Sequence, residues 1–217
     1  ERRRSHSVWS TTKCARWTRP GVRCAWCGAV SEGGDDTVST SQVSVAPATA
    51  SDAESLLEMR ERLSTWLATR GVVQWRRGSL SVSRLLAQIQ AGEVFVARLD
   101  GHLAGSFSVT DHDLRIWGGD PTEASYLHRL MVDRRWAHRH LGAELLSWAE
   151  EHCRARGRTH LRLDCVEINT TLIDYYTRAG FREVRRVSIE DLLPHEGGLV
   201  LFEKTLTGGS AEPTTRL

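Results

Sequence analysis

The sequence predicts an α/β domain built on a mixed sheet with flanking helices, and three stretches carry that expectation. Residues 126–143 begin as a run rich in β-formers, pass through a basic turn and open a strongly patterned helix. Residues 161–166, Leu-Arg-Leu-Asp-Cys-Val, alternate as a strand beyond that helix, so a helical crossover joins two strands that should lie parallel. Residues 93–99 and 103–109 flank Asp100-Gly101, a pair suited to a tight hairpin turn, and read as two antiparallel strands. Parallel and antiparallel pairs in one chain require a mixed sheet with helices laid on it.

The remaining elements follow in order. Val43-Ser-Val-Ala alternates up to Pro47 and gives a short first strand. Ser51, Asp52, Ala53 and Glu54 offer an N-cap and capping box for a helix that carries Leu56, Leu57, Met59, Leu63, Trp66 and Leu67 and ends at Gly71. Ser81 opens a second helix with Leu85, Leu86 and Ile89, and Gly92 stops it. After the hairpin, residues 111–124 read as a loop with a short strand at 114–117. Beyond the basic turn, Leu141, Leu145, Ala149 and Cys153 share one helical face, and Gly157 ends that helix. Thr170 or Thr171 caps a short helix through Tyr175 and Tyr176 that stops at Gly180, and residues 183–189 and 199–206 supply two last strands.

Composition narrows the function classes. The 217 residues are 40% hydrophobic and 26% charged, and no apolar run approaches the roughly 20 residues a membrane helix needs, so no membrane partner is expected. The net charge is +2, but residues 1–30 hold seven Lys or Arg against Glu1 alone, which leaves −4 on residues 31–217. A mildly acidic body argues against nucleic acid and for a cationic ligand. Residues 1–41 lack any sustained periodicity and read as a disordered basic extension, residues 42–207 as the folded domain, and residues 208–217 as a flexible tail. In the extension Cys24-Ala-Trp-Cys27, with Cys14 and His6, offers zinc-type ligands, but one CxxC without a second pair is a weak signal and no metal is expected. Trp9, Trp17 and Trp26 among arginines leave a nucleic-acid arm as the alternative use of this segment. Five cysteines without a regular framework, and no signal peptide, point to the cytoplasm.

The strand, basic turn and helix at 126–143 also form an anion site in outline. Orphan amides and the positive end of the helix dipole meet there, with Arg134, Arg135 and Arg139 adding full charges. That unit, the strand 161–166 followed by Asn169, and the run Tyr175-Tyr-Thr-Arg-Ala-Gly-Phe181 together resemble the GNAT superfamily of acyl-CoA N-acyltransferases over residues 43–206. The resemblance implies a fold in which two central parallel strands splay apart and acetyl-CoA, the acyl donor, lies in the gap. It implies that backbone groups of Leu130 and Val132 pair with pantetheine as an added strand would, and that a backbone N–H of Leu130 or Met131 polarises the thioester. Amides along Ala137, His138, Arg139, His140, Leu141, Gly142 and Ala143 would hold the pyrophosphate. The family's Arg or Gln, Gly, any, Gly, any, Gly run is here Ala137-His-Arg-His-Leu-Gly142, so imidazoles at 138 and 140 add bulk where glycine lets the backbone lie close. Protonated, they would offset the lost fit with charge. Asn169 would contact the cofactor or its loop, its equal alternative being to start the following helix.

For the chemistry, the resemblance puts Tyr176 at the family's general-acid position, against the alternative of a core tyrosine on an amphipathic helix. Asp164 and His128 are the candidate bases, with a cap or ion-pair partner and a packed histidine as their alternatives. Cys165 sits in a strand and reads as buried, so direct transfer in a ternary complex is expected rather than an acyl-enzyme. The acceptor is a small-molecule or protein amine, and a homodimer is an allowed arrangement. Trp66 and Trp75 are candidates for the wall of its pocket, and Glu58, Glu61, Asp111, Asp113 and Glu123 for an acidic rim. The rival reading is a non-catalytic acyl-CoA-binding or sensing module with a degenerate pyrophosphate loop.

Overall fold

Local sequence determines the hairpin first: Asp100 (φ 51°) and Gly101 (φ 81°) take the two left-handed conformations of a type I′ turn, so Leu99 faces His102 directly. The computed structural model describes residues 43–118, 123–188 and 197–206. Expectations for the basic extension with its cysteines, for the tail and for Ile189 lie outside those residues. Seven strands form one sheet: β1 (Val43–Pro47), β2 (Val94–Leu99), β3 (His102–Thr110), β4 (Ala124–Val132), β5 (His160–Val166), β6 (Arg182–Ser188) and β7 (Gly198–Thr205). They lie in the order β1-β2-β3-β4-β5-β7-β6. Four helices accompany them: α1 (Ala53–Ala68), α2 (Val82–Gln90), α3 (Leu141–Ala155) and α4 (Thr170–Arg178). Every strand pair is antiparallel except β4 and β5, which the α3 crossover makes parallel.

The α3 stripe read from the sequence is the core's main wall. Leu141, Leu145, Leu146, Ala149 and Cys153 are all buried, packed with Phe95, Phe107 and Leu161. Each fully buried leucine there contributes on the order of 2 kcal/mol. Gly105 of β3 makes the approach possible, since a Cβ on it would lie 2.8 Å from both Leu145 Cδ1 and the Met131 carbonyl oxygen. On the other side of the sheet, Leu56, Met59 and Leu63 of α1 and Leu85 and Ile89 of α2 pack with Val94, Val96 and Met131. Strand β2 is thus buried on both faces, Phe95 and Ala97 toward α3 and Val94 and Val96 toward α1 and α2.

Two irregularities place the site. Ser106 opposes Met131 while Ser108 opposes His128, so β4 carries one extra residue, and Arg129 stands there at φ 50°. A bulge of this kind bends the strand and re-aims its side chains. The parallel pairing of β4 with β5 covers only Ala124 to Tyr126 against His160 to Arg162. Past that point β5 stays paired with β7, and the two central strands part as the resemblance implies.

Three local expectations are corrected. Residues 114–117 are a turn, not a strand: Trp117 N and Gly118 N donate to the carbonyls of Asp113 and Leu114 (3.0 and 3.1 Å), and Asp113 Oδ1 accepts from Ile116 N (3.3 Å). An aspartate that can cap its own next residues outcompetes the strand there. The N-terminal box of α1 is shifted upstream, with Thr49 N donating to Asp52 Oδ2 (2.8 Å) across a single 3₁₀ turn, Ala50–Asp52. Asn169, not Thr170 or Thr171, caps α4, its Oδ1 accepting from Leu172 N (3.3 Å).

Candidate active site

The turn between β4 and α3 keeps a glycine-type backbone in the absence of glycine. His138 (φ 64°) and His140 (φ 58°) both adopt the left-handed region, which costs a non-glycine residue about 1–2 kcal/mol. His140 serves as the N-cap of α3, its carbonyl accepting from Ala143 N and Glu144 N (3.0 and 3.2 Å). The amides of Arg139, His140, Leu141 and Gly142 donate to no backbone carbonyl among the described residues. Both imidazoles are solvent-exposed, and no hydrogen bond or ring contact among the described residues holds either over those amides. A concave row of free N–H groups at a helix N-terminus is an anion cradle.

Arginine is distributed differently from the sequence expectation. Arg135 is bound to Asp133 (Nε–Oδ1 3.1 Å, Nη2–Oδ2 3.0 Å), and Arg62 reaches the same carboxylate (3.1 Å). Burial raises the Asp133 pKa, but the bonds from Arg135 and Arg62 outweigh it and hold the group at about 2. Arg134 stacks 4.1 Å over Trp66, and Arg139 lies 5.2 Å over the Trp136 ring. Of the three, Arg134 reaches out of the turn to α1, Arg135 is neutralised within it by Asp133, and Arg139 stays within it with no carboxylate partner among the described residues. Behind it the Tyr175 hydroxyl is buried without a hydrogen-bond partner, so close to Gly142 that a Cβ there would lie 3.3 Å from it.

Where β4 and β5 part, a cavity of about 930 Å³ opens. Leu130, Met131 and Val132 of β4 line it, with Asp164 of β5 and Tyr176 of α4 on the facing side and Trp66 and Trp75 on the outer wall. Three titratable groups gather inside: one ligand atom each from Asp113, His128 and Asp164 lie within 4.8 Å of one another. Among the described residues this trio is close enough to share one cation or one proton. Burial, reinforced by the Asp113 charge, pushes Asp164 up to about 7. Burial pushes His128 down to about 4, Asp113 opposing and Arg129 and Arg84 adding to the fall. The His128 Nε2 lies 3.2 Å from Thr110 Oγ1 and 4.0 Å from Asp113 Oδ2. Near neutral pH the imidazole is therefore uncharged and the Asp164 carboxyl is balanced between its two forms, which suits proton exchange.

Tyr176 stands in the core and at the cavity at once. It packs edge-on against Tyr175 (5.3 Å) and Phe181 (5.9 Å) in the core, and it also faces the cavity. Burial, then the neighbouring Cys165, Tyr175 and Asp164, pushes its phenol well above the ordinary value, so it stays protonated. Asn169 is committed to its cap and to Gln74, donating from Nδ2 to Oε1 (3.1 Å), which favours the structural alternative. Cys165 is fully buried and pushed up to about 12, so its thiol stays protonated. Of the expected acidic rim only Asp113 reaches the cavity; Glu58, Glu61 and Asp111 pair with arginines, and Glu123 accepts from Thr159. Sequence reasoning missed Arg129, Gln88 and Thr110. The one available signal was a charged residue inside the apolar run Leu-His-Arg-Leu-Met-Val.

Central strands that part over a cavity of titratable groups, with free amides at the next helix N-terminus, match the fold of the acyltransferase class. The model of the acetyltransferase (GNAT) family matches residues 60–181. An uncharacterized N-acetyltransferase of Bacillus subtilis (strain 168), YesJ, is 37% identical over 169 residues, covering 74% of this chain and 89% of that protein. The chain belongs to the GNAT acetyltransferase family. The crystal structure of a GNAT-family acetyltransferase from Listeria monocytogenes 4b F2365 is 28% identical and superposes with a TM-score of 0.61, covering 76% of this chain and 95% of that one. The structure of yncA from Salmonella typhimurium, solved with its cofactor acetyl-CoA, shares the fold at 17% identity and a TM-score of 0.61, covering 80% and 99% of the two chains. Among the described residues no helix is long and apolar enough to cross a membrane.

Proposed function

We propose that this chain is an N-acetyltransferase that moves an acetyl group from acetyl-CoA to a primary amine by direct transfer in a ternary complex. The observation that carries the reading is the parting of β4 and β5 over a cavity that holds a carboxyl poised near neutrality, Asp164, and a protonated phenol, Tyr176. The residues fit the donor: the β4 edge past Tyr126 is free on its β5 side, and the turn offers unpaired amides at the α3 N-terminus. Backbone groups of Leu130 and Val132 would hold the pantetheine arm, with a backbone N–H of Leu130 or Met131 over the carbonyl oxygen. Amides from His138 to Gly142, with the Tyr175 hydroxyl behind them, would hold the pyrophosphate, while those of Ala137 and Ala143 already donate to the carbonyls of Arg134 and His140.

When bound, acetyl-CoA supplies an activated thioester. Asp164 takes the surplus proton of the incoming amine, with His128 and Asp113 beside it to stabilise the charge. A carbon–nitrogen bond forms as the carbon–sulfur bond breaks; Tyr176 offers its proton to the departing sulfur, and the second proton that nitrogen sheds as the amide forms restores the phenol. The reaction needs no metal and no acyl-enzyme. The test is release of free CoA thiol from acetyl-CoA on addition of amines, followed from pH 5 to 9. Transfer with an acid limb near pH 7, lost in Asp164→Asn, is the expected result. Tight acetyl-CoA binding with no amine acetylated would instead mark a non-catalytic binding module.

A further inference from the structure

Arg129 is a guanidinium without a carboxylate. The β4 bulge turns it toward α2 and β3, where Nη2 donates to Gln88 Oε1 (2.7 Å) and Ser108 Oγ (2.8 Å). Among the described residues no carboxylate oxygen lies within 4.0 Å of it, and none within that distance of Arg84, which lines the same part of the cavity from α2. Glu93, the nearest acid to bear on Arg129, is instead bound by Gln88 Nε2 (3.2 Å). Arg60, the other cation acting on Arg129, is already bound to Glu61 and Ser79. Burial, then the charges of Arg84 and Arg60, lower the Arg129 pKa to about 10, Glu93 opposing. A sheltered cation held only by neutral oxygens, on a residue that lines the cavity, is costly to keep unless an anion joins it. The opposite charge preference lies one residue away, where His128 and the two aspartates favour a cation.

We propose that Arg129 and Arg84 form a carboxylate subsite in the acceptor end of the cavity, so that the acceptor is an amine that also carries a carboxylate: an amino acid or a close relative. The proposal rests on the acetyltransferase reading for the fate of the amine, but the subsite itself is a matter of binding. Two planar guanidinium groups suit a carboxylate in a bidentate or shared geometry, and the trio then receives the ammonium.

Two measurements test it. In the first, the full chain with acetyl-CoA is assayed against the standard amino acids and against matched sets such as alanine, 1-aminoethylphosphonate and ethylamine, or phenylalanine and phenethylamine. The best amino acid should exceed its decarboxylated amine by about tenfold or more in kcat/KM, the value of one charge-assisted bond. In the second, calorimetry compares N-acetylphenylalanine and N-acetylalanine with N-acetylphenethylamine and N-ethylacetamide, without acetyl-CoA. The acids should bind about tenfold tighter, and Arg84→Gln and Arg129→Gln should each reduce that preference to about threefold or less. Arg84 is exposed, so its variant reports even if Arg129→Gln fails to fold. Equal binding of acids and neutral amides, or preference for the phosphonate, overturns the carboxylate subsite. Absence of all acetyl transfer with the calorimetric preference intact would sink the enzyme reading and leave the subsite standing.

Discussion

In the turn before α3 the groups left unpaired are backbone amides, in a stretch that holds two left-handed histidines and is exposed. The groups that meet in the sheltered cavity are side chains, Asp113, His128, Arg129 and Asp164, drawn from a loop and two strands. The first region depends on φ and ψ and tolerates a change of residue type as long as the conformation survives. The second depends on charges taken partly out of water, where each substitution changes its neighbours' protonation. The chain therefore sets a turn of free amides that is robust to substitution beside a cavity of titratable groups that is sensitive to it.

The sharpest contrast comes from activity. Asp164→Asn should lower kcat/KM by about 10³-fold and Tyr176→Phe by about 10²-fold, measured by CoA release at pH 8. His138→Gly should change it by about threefold or less, because the amides already stand where glycine would put them. A His138 effect as large as that of Asp164 would break the comparison. The Asp164 loss should also remove the acid limb near pH 7, since the ionised form accepts the proton.

Stability effects are smaller. Gly105→Ala should destabilise by about 2 kcal/mol in denaturant titration, because its Cβ meets Leu145 and the Met131 carbonyl at 2.8 Å. Asp164 should oppose folding at high pH. Its folded pKa, about 7, is raised above the ordinary 3.8, so the folded chain holds the proton more tightly. Stability from this group is fullest below pH 4, falls as pH rises toward 7 and stays low above it. Asp164→Asn should thus stabilise by about 4 kcal/mol at pH 8 and by less than about 1 kcal/mol at pH 4. The smallest effect is at the cradle: His140→Gly should stabilise by about 1 kcal/mol by relieving a left-handed histidine.

The same contrast explains what the sequence made legible. The α3 stripe, the Asp100-Gly101 turn and the crossover to β5 are governed by periodicity and turn chemistry over a few residues, and all three stand as expected. Residues 114–117 did not, because an Asp113 side chain capping its own turn is a choice that alternation does not reveal. In the site, family position pointed to Asp164, His128 and Tyr176, and all three line the cavity. Asp113 appeared only as one of several rim acids, since its meeting with Asp164 spans 51 residues of chain. Arg129 was missed because its partners, Gln88 and Ser108, are distant in sequence and its orientation depends on a one-residue bulge. The two histidines in the turn read as bulk against a phosphate; that both take the left-handed conformation glycine favours is invisible in the residue names.

The most direct test of the account is calorimetric titration with acetyl-CoA of the native chain and of the double variant His138→Gly/His140→Gly. If the turn keeps a working cradle, the native chain binds in the micromolar range and the variant lies within about threefold of it. No binding by the native chain, with binding restored in the variant, would contradict it.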